Sequence, residues 1–174
     1  MLISLTGTPG TGKSSVAKSL TAAGWRTLEV SDLASRAGLL TEMDKERGSY
    51  DIDPDDLQSA VDMAGLKDTV LVGHLSHLVR NDLTIVLRCR PSVLKERLAK
   101  RNWPGTKVQE NIEAEAIDII LMEALDRNGA VFEVDTTEMT SEEVTWAVLE
   151  IISGKTDKYR PGHVDWSEEV MQWY

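Results

Sequence analysis

The sequence predicts an α/β fold, three layers deep, with a five-stranded parallel sheet between two layers of helices. Three observations predict it. The stretch "GTPGTGKSS", residues 7–15, fits G-x-x-x-x-G-K-[ST], with Gly7, Gly12, Lys13 and Ser14 in the fixed places. An apolar run precedes this motif and a helical pattern follows it, which is the context a phosphate-binding loop requires. Beyond it, apolar runs alternate with helical patterns, and that alternation argues for a parallel sheet covered on both faces. The class is therefore that of the P-loop nucleoside triphosphatases.

Each element has its own signal. "LISLT" (2–6) reads as a buried strand, and residues 13–23 as a helix closed by Ala23-Gly24. "WRTLEV" (25–30), "DTVLVGH" (68–74), "LTIVLRC" (83–89) and "AVFEVD" (130–135) supply four more strands. Helices are predicted over about 55–65, 91–101, 108–127 and 140–153. Two segments break the alternation. Residues 32–56 are rich in charge and glycine, and "NWPGTK" (102–107) interrupts a long helical stretch. Insertions at the phosphate end of such a sheet are expected to contact ligand. The tail from 154 to 174 holds two of the five tryptophans and two of the three tyrosines. It reads either as packing back on the domain or as a partner-binding arm. One domain is expected over 1–174, with the ligand insertion at about 32–56 and a short lid at about 101–108.

Composition sets bounds. The 174 residues suffice for one cored domain. No apolar stretch approaches the ~18–20 residues of a membrane span, and no secretion signal is evident at the N-terminus. The single cysteine, Cys89, is expected to be buried and inert; it excludes an internal disulfide and agrees with a reducing, cytoplasmic location. The net charge of −10 argues against a nucleic-acid footprint over the whole surface.

The loop's chemistry follows from its residues. Glycines let the backbone turn tightly and aim N–H groups inward, while the next helix adds the positive end of its dipole. Lys13 is placed to reach the β and γ phosphates of ATP, and Ser14 to ligate Mg²⁺. Phosphoryl transfer is mostly positioning and charge neutralisation, so a kinase needs further cations on segments that close over both substrates. Arg97 and Arg101 lie four apart on one predicted helix and share a face. Lys107 follows the "NWPG" turn, and Arg88 and Arg90 end the fourth strand. Asp32 is expected to close the second strand, either as an N-cap or to orient water on Mg²⁺. Arg36 is the candidate for gripping an acceptor phosphate, with Arg47 next. His74 stands at a strand end beside the loop, where a neutral imidazole can orient water or merely pack. His77 reads as a packing or surface residue.

These stretches together resemble a known family. "GTPGTGKSS", "SDLA", "VGHLSHL", "VLRCRPSVLKERLAKRNW" and "KVQENIEAEAIDIILMEA" are similar to the small atypical adenylate kinases of ribosome assembly, called adenylate kinase isoenzyme six or CINAP. "FEVDTT" and "YRPGHVDWS" look like its archaeal members. The resemblance runs from residue 1 to about 150. It implies a nucleoside monophosphate kinase with a short lid, using ATP and Mg²⁺, with AMP as usual acceptor. It also implies an ATPase in small-subunit rRNA maturation that binds the ribosomal protein uS-eleven and the pre-ribosomal small subunit. Carried over residue by residue, Gly7, Pro9, Gly10, Thr11, Gly12, Lys13, Ser14 and Ser15 match the phosphate loop. Asp32 and Arg36 fall in the monophosphate segment, Arg97 and Arg101 in the pair flanking ATP, and Lys107 in the lid. His74 matches a histidine of the Walker-B-like segment. One departure is visible: Val72 stands where the family often has an acid, in Asp-x-His. Three functions are open: a monophosphate kinase and an ATP-driven assembly switch, which are compatible in one protein, and a kinase of a small metabolite such as shikimate or gluconate, which shares the loop, sheet and short lid but against which "ENIEAE" speaks through the resemblance. One chain suffices for the kinase fold, so a monomer is expected.

Overall fold

The computed structural model describes residues 1–41, 43–44 and 49–173, with the backbone alone at 43, 44 and 49. In chain order its strands are β1 (Leu2–Gly7), β2 (Arg26–Glu29), β3 (Met43–Asp44), β4 (Ser49–Tyr50), β5 (Thr69–Val72), β6 (Leu83–Arg88) and β7 (Val131–Asp135). The helices are α1 (Lys13–Ala22), α2 (Val30–Arg36), α3 (Pro54–Ala64), α4 (Pro91–Ala99), α5 (Gly105–Ala116), α6 (Ile119–Arg127), α7 (Ser141–Ile152) and α8 (Ser167–Met171). Five strands form one parallel sheet in the order β2-β5-β1-β6-β7, as the alternation predicts. The short pair β3–β4 is antiparallel and lies within the charged 32–56 segment.

Side chains alternate across the sheet, and each face buries its own set. Ile3, Leu5, Val70, Val72, Ile85 and Leu87 join Val16 and Leu20 of α1 and Val144, Val148 and Ile151 of α7 in one core. On the other face Leu71 packs with Leu33 and Leu57 of α2 and α3, and Val86 with Leu121 and Ala124 of α6. Each such side chain, fully buried, contributes about 1.5–3 kcal/mol. The inner strand β1 also sends Ser4 and Thr6 to that second face. There Ser4 bonds Ser76 at 2.7 Å and Thr6 meets His77 Nδ1 at 3.0 Å, so the polar pair is satisfied. His77 Nε2 meets Glu123 at 2.9 Å; this histidine is a packed, bonded residue. No helix among the described residues is long and apolar enough to cross a membrane.

Three boundaries differ from expectation. The helical stretch 108–127 is two helices, because Asp118 adopts a left-handed φ of 59° between α5 and α6. The reason is Arg88, whose guanidinium captures the Glu115 carbonyl at 3.3 Å and the Asp118 carboxylate, and so ends the helix there. Helix α4 stops at Ala99, two residues early, and Asn102 takes φ 53° on the way into α5. Helix α2 begins at Val30, directly after β2. The tail packs back on the domain: Tyr159, Val164 and Trp166 are buried, and Tyr159 donates to Glu150 at 2.5 Å.

Candidate active site

The site is built outward from the end of β1. Gly7 has φ 134°, and a Cβ there would stand 2.3 Å from the Leu87 carbonyl oxygen on the neighbouring strand. Only glycine allows the loop to leave the sheet so close to β6. Gly12, at φ 106°, is the left-handed residue before α1, and it offers no side chain to cap the helix. Lys13 and Ser14, the first residues of α1, line the cavity, so the helix N-terminus stands at it as an anion site needs. The loop is stiffened from within: Thr11 donates its N–H at 3.2 Å and its hydroxyl at 2.9 Å to the Thr8 carbonyl.

Lys13 folds back over this loop, donating to the carbonyls of Gly7 at 2.5 Å and Thr8 at 3.0 Å. Burial, with the nearby Arg101 charge, lowers its pKa from 10.5 to about 7, against the opposing pull of Glu115 and Glu29. Among the described residues no carboxylate pairs with this ammonium, a costly arrangement that polyphosphate would relieve.

The loop opens into a cavity of about 940 Å³. Pro9 to Ser15 form its floor. Arg97, Lys100, Arg101 and Lys107 line one side, with Trp103 among them. Glu29, Leu40, Tyr50 and Ile52 line the other, with Val72 and His74 between. Arg97 is braced by the β7–α7 turn: it donates to the Thr136 hydroxyl at 3.2 Å and to the Thr136 and Thr137 carbonyls at 2.9 and 3.2 Å. The Thr136 hydroxyl in turn lies 3.1 Å from the Thr11 carbonyl, so the turn and the phosphate loop are tied. Arg101, just beyond α4, stacks over the Trp103 ring at 5.2 Å, and Lys107 over the same ring at 4.3 Å. His74 projects into the cavity from the end of β5. It is open to cavity solvent yet ringed by protein; burial first, then the charges of Lys13, His77 and Lys107, lower its pKa to about 4. The imidazole is neutral at physiological pH.

Other expected residues lie elsewhere. Asp32 does not close the second strand; because α2 starts at Val30, that place belongs to Glu29, and Asp32 is exposed on the first helical turn. Arg36 is exposed in the last turn of α2, and neither it nor Asp32 lines the cavity. Arg47 lies outside the described residues. Arg88 points away from the cavity into a buried nest of Glu115, Asp118 and Glu133. Arg90 sits near Glu138 and Glu169. Cys89 is fully buried, and burial pushes its thiol up to about 11. Sequence reasoning missed Glu29, Thr136, Trp103 and Glu115. Thr136 and Glu115 stand inside the quoted "FEVDTT" and "ENIEAE" stretches, but nothing in those strings said what they would touch.

Val72 is buried and pairs in register with Glu29 on β2 and Leu5 on β1. The acid missing from β5 thus has a carboxylate opposite it on the next strand. Glu29 is half-buried; burial, then the Asp32 charge, raises its pKa, while Lys13 pulls it down. Among the described residues no group of three or more His, Cys, Asp and Glu is arranged to hold a metal ion. That suits Mg²⁺, which at phosphate sites takes one or two protein oxygens and leans on the phosphates and water. The Ser14 hydroxyl and the Glu29 carboxylate fit that donor set.

The fold and the cavity define a P-loop domain of the kinase type. A family model described as an AAA domain matches residues 3–118. The chain is 49% identical over 173 residues to a protein of Archaeoglobus fulgidus named "Putative adenylate kinase", covering 98% of this chain and 94% of that one. It is 39% identical over 176 residues to one of the same name from Methanocaldococcus jannaschii, covering 99% and 97%. The chain belongs to this archaeal family. Shikimate kinase from Acinetobacter baumannii shares the fold at TM-score 0.61 and 16% identity, over 88% of this chain and 93% of that one.

Proposed function

We propose that this protein is an adenylate kinase, transferring the γ-phosphoryl group of ATP to AMP with Mg²⁺. One observation carries the reading. The phosphate loop faces a cavity of about 940 Å³ with cations along one wall and a partly apolar wall opposite. That volume is at the upper end of the range for a single small ligand, and the two walls suit two nucleotides meeting end to end.

In this reading the loop N–H groups and Lys13 hold the ATP phosphates. Arg97 and Arg101 neutralise the charge that spreads over the moving phosphoryl group. Arg97 is already oriented by three bonds to the β7–α7 turn. Arg101 and Lys107 leave the Trp103 ring to take up phosphate as the short lid closes and excludes water. Leu40, Tyr50 and Ile52, from the monophosphate segment, face the acceptor. His74, neutral, accepts or donates one hydrogen bond without adding charge. Ser14 would ligate Mg²⁺ and Glu29 would orient its water, the role the sequence offered to Asp32; the ion would supply charge neutralisation for the phosphates. Names of relatives support the adenylate reading, since two archaeal proteins across nearly the whole chain carry it.

The resemblance also supports a second activity, ATP hydrolysis in maturation of the small ribosomal subunit in the cytoplasm, with uS-eleven as partner. The net charge of −10 favours association with a basic ribosomal protein.

The test is a nucleotide assay. The protein is mixed with ATP, Mg²⁺ and each nucleoside monophosphate in turn, and the products are separated by anion exchange. Diphosphate forming much faster with AMP than without acceptor is the expected result. Slow ADP release, equal in every tube, would replace the kinase by the ATPase.

A further inference from the structure

Beneath the phosphate loop lies a charged cluster that the reaction itself does not use. Glu115 on α5 is 3% exposed. One of its oxygens, Oε2, accepts the Thr8 hydroxyl at 2.6 Å. The other, Oε1, accepts Arg88 Nε at 2.8 Å, the Cys89 N–H at 3.2 Å and the Trp166 indole N–H at 3.3 Å. Arg88 also donates to Glu133 at 3.1 Å. Glu133 is fully buried on β7 and accepts the backbone N–H groups of Gly162, His163 and Val164 at 2.7, 3.1 and 3.3 Å. A few residues on, Glu169 of α8 accepts the Ser92 N–H at 2.6 Å, at the start of the helix that carries Arg97.

The tail is thus bonded to two working parts at once. Through Trp166 and Glu115 it reaches Thr8; through Glu169 it reaches α4. Thr8 matters because its carbonyl accepts Lys13 Nζ, the Thr11 N–H and the Thr11 hydroxyl. Where the Thr8 peptide sits decides where the lysine and the loop point. A hydroxyl held by a buried carboxylate fixes that peptide before any ligand arrives, so less ordering is left to be done on binding.

We propose that the C-terminal segment 159–173 supports the nucleotide site from behind, and that Glu115 is the positioning residue through which Trp166 sets the phosphate loop. The proposal rests on the ATP-binding reading above. It goes beyond packing: a tail that merely covered apolar surface would have no bond to the loop's own anchor.

The experiment measures ATP affinity of the full chain by titration calorimetry, with melting temperature recorded beside it. Trp166→Phe keeps an aromatic ring but removes the indole donor together with part of the buried ring system, and the melting temperature reports that lost packing. Thr8→Val removes the hydroxyl from the other side of Glu115, and Thr8→Ser restores it. Trp146→Phe is the control, since Trp146 is 69% exposed on α7. Each of Trp166→Phe and Thr8→Val is expected to weaken ATP binding about threefold to tenfold, the size of one ordinary hydrogen bond, because the lost bond acts on ATP only through the loop. Their combination should weaken it by less than the product, because both act on one group. Thr8→Ser and Trp146→Phe should bind as wild type does. Unchanged affinity in Trp166→Phe, or losses that simply multiply, would overturn the proposal. Should Thr8→Val not fold, Trp166→Phe decides alone. A wild-type chain that binds no ATP would bring down the nucleotide reading itself and this proposal with it, an outcome distinct from the variants binding normally.

Discussion

Two groups of cations flank the phosphate loop, and they are held in opposite ways. Arg88 is 1% exposed and meets three carboxylates, Glu115, Asp118 and Glu133. Lys13, Arg97 and Arg101 lie a few residues away along the chain or across the loop, and among the described residues none of the three makes an ion pair. Their partners are backbone carbonyls, a threonine hydroxyl and a tryptophan ring. The contrast separates structure from function without any appeal to motif. A buried charge whose partners complete it is structural; a charge facing a cavity with only neutral partners is placed for an anion that arrives later.

The largest effect should come from the cavity side. Lys13→Met is expected to lower phosphoryl transfer about 10³-fold or more, because the charge it loses is one the transition state uses. The same variant should reveal the cost of that charge in the empty protein. With its pKa at about 7 instead of 10.5, Lys13 is protonated in both folded and unfolded chains below pH 7. The fold then bears the full penalty. Between 7 and 10.5 the unfolded chain holds a proton that the folded one lacks, so wild-type stability rises with pH. Relative to wild type, Lys13→Met should therefore be most favoured below pH 7, and the difference should shrink as pH climbs towards 10.5. Urea unfolding of both proteins from pH 6 to 10 reads it directly. A difference that stays flat over that range would mean that Lys13 keeps an ordinary pKa and is not desolvated.

The structural side predicts the reverse pattern. Arg88→Met leaves Glu115 and Glu133 buried without their cation, at a cost of about 3–5 kcal/mol in unfolding free energy. Denaturant melts should show that loss. Activity per folded molecule should fall far less than in Lys13→Met, since the Arg88 side chain does not line the cavity and its contact with Thr136 is through the backbone carbonyl, which the substitution keeps. A variant that unfolds normally but transfers no phosphoryl group would place Arg88 with the other cations and erase the comparison.

The two groups were not equally legible. The loop could be read because its geometry is local: Gly7, Gly12, Lys13 and Ser14 act through nine contiguous residues, and backbone sterics demand glycine at fixed spacing. The five strands were legible for a similar reason, as each is a short apolar run with its own bounds. Arg88 and Arg90 at the end of β6 looked equivalent to Arg97 and Arg101, and strand position alone cannot separate them. What separates them is Glu115, 27 residues further on, and Glu133, on the next strand, neither of which is near Arg88 in sequence. The split of 108–127 into two helices was hidden by the same fact, since the arginine that ends α5 comes from β6. Glu29 was overlooked because Asp32 looked like the strand-end acid. Only the start of α2 at Val30, and the register of Glu29 with Val72, show which carboxylate stands there. Local backbone rules travel with the sequence; pairings set by tertiary approach do not.

The smallest effect should be at Arg36. It is exposed at the end of α2 and stands off the cavity wall, so it belongs to neither group in this conformation. Arg36→Ala should leave KM for ATP and AMP within about twofold of wild type, as surface substitutions usually do. A rise confined to KM for AMP, tenfold or more, would carry a different message. It would mean that α2 swings inward when the acceptor binds, as closing segments of such enzymes do. Arg36 would then join Lys13 and Arg101 as a cation reserved for phosphate, with solvent in place of a ring or a carbonyl as its partner in the empty protein. Steady-state kinetics with AMP varied at saturating ATP distinguishes the two.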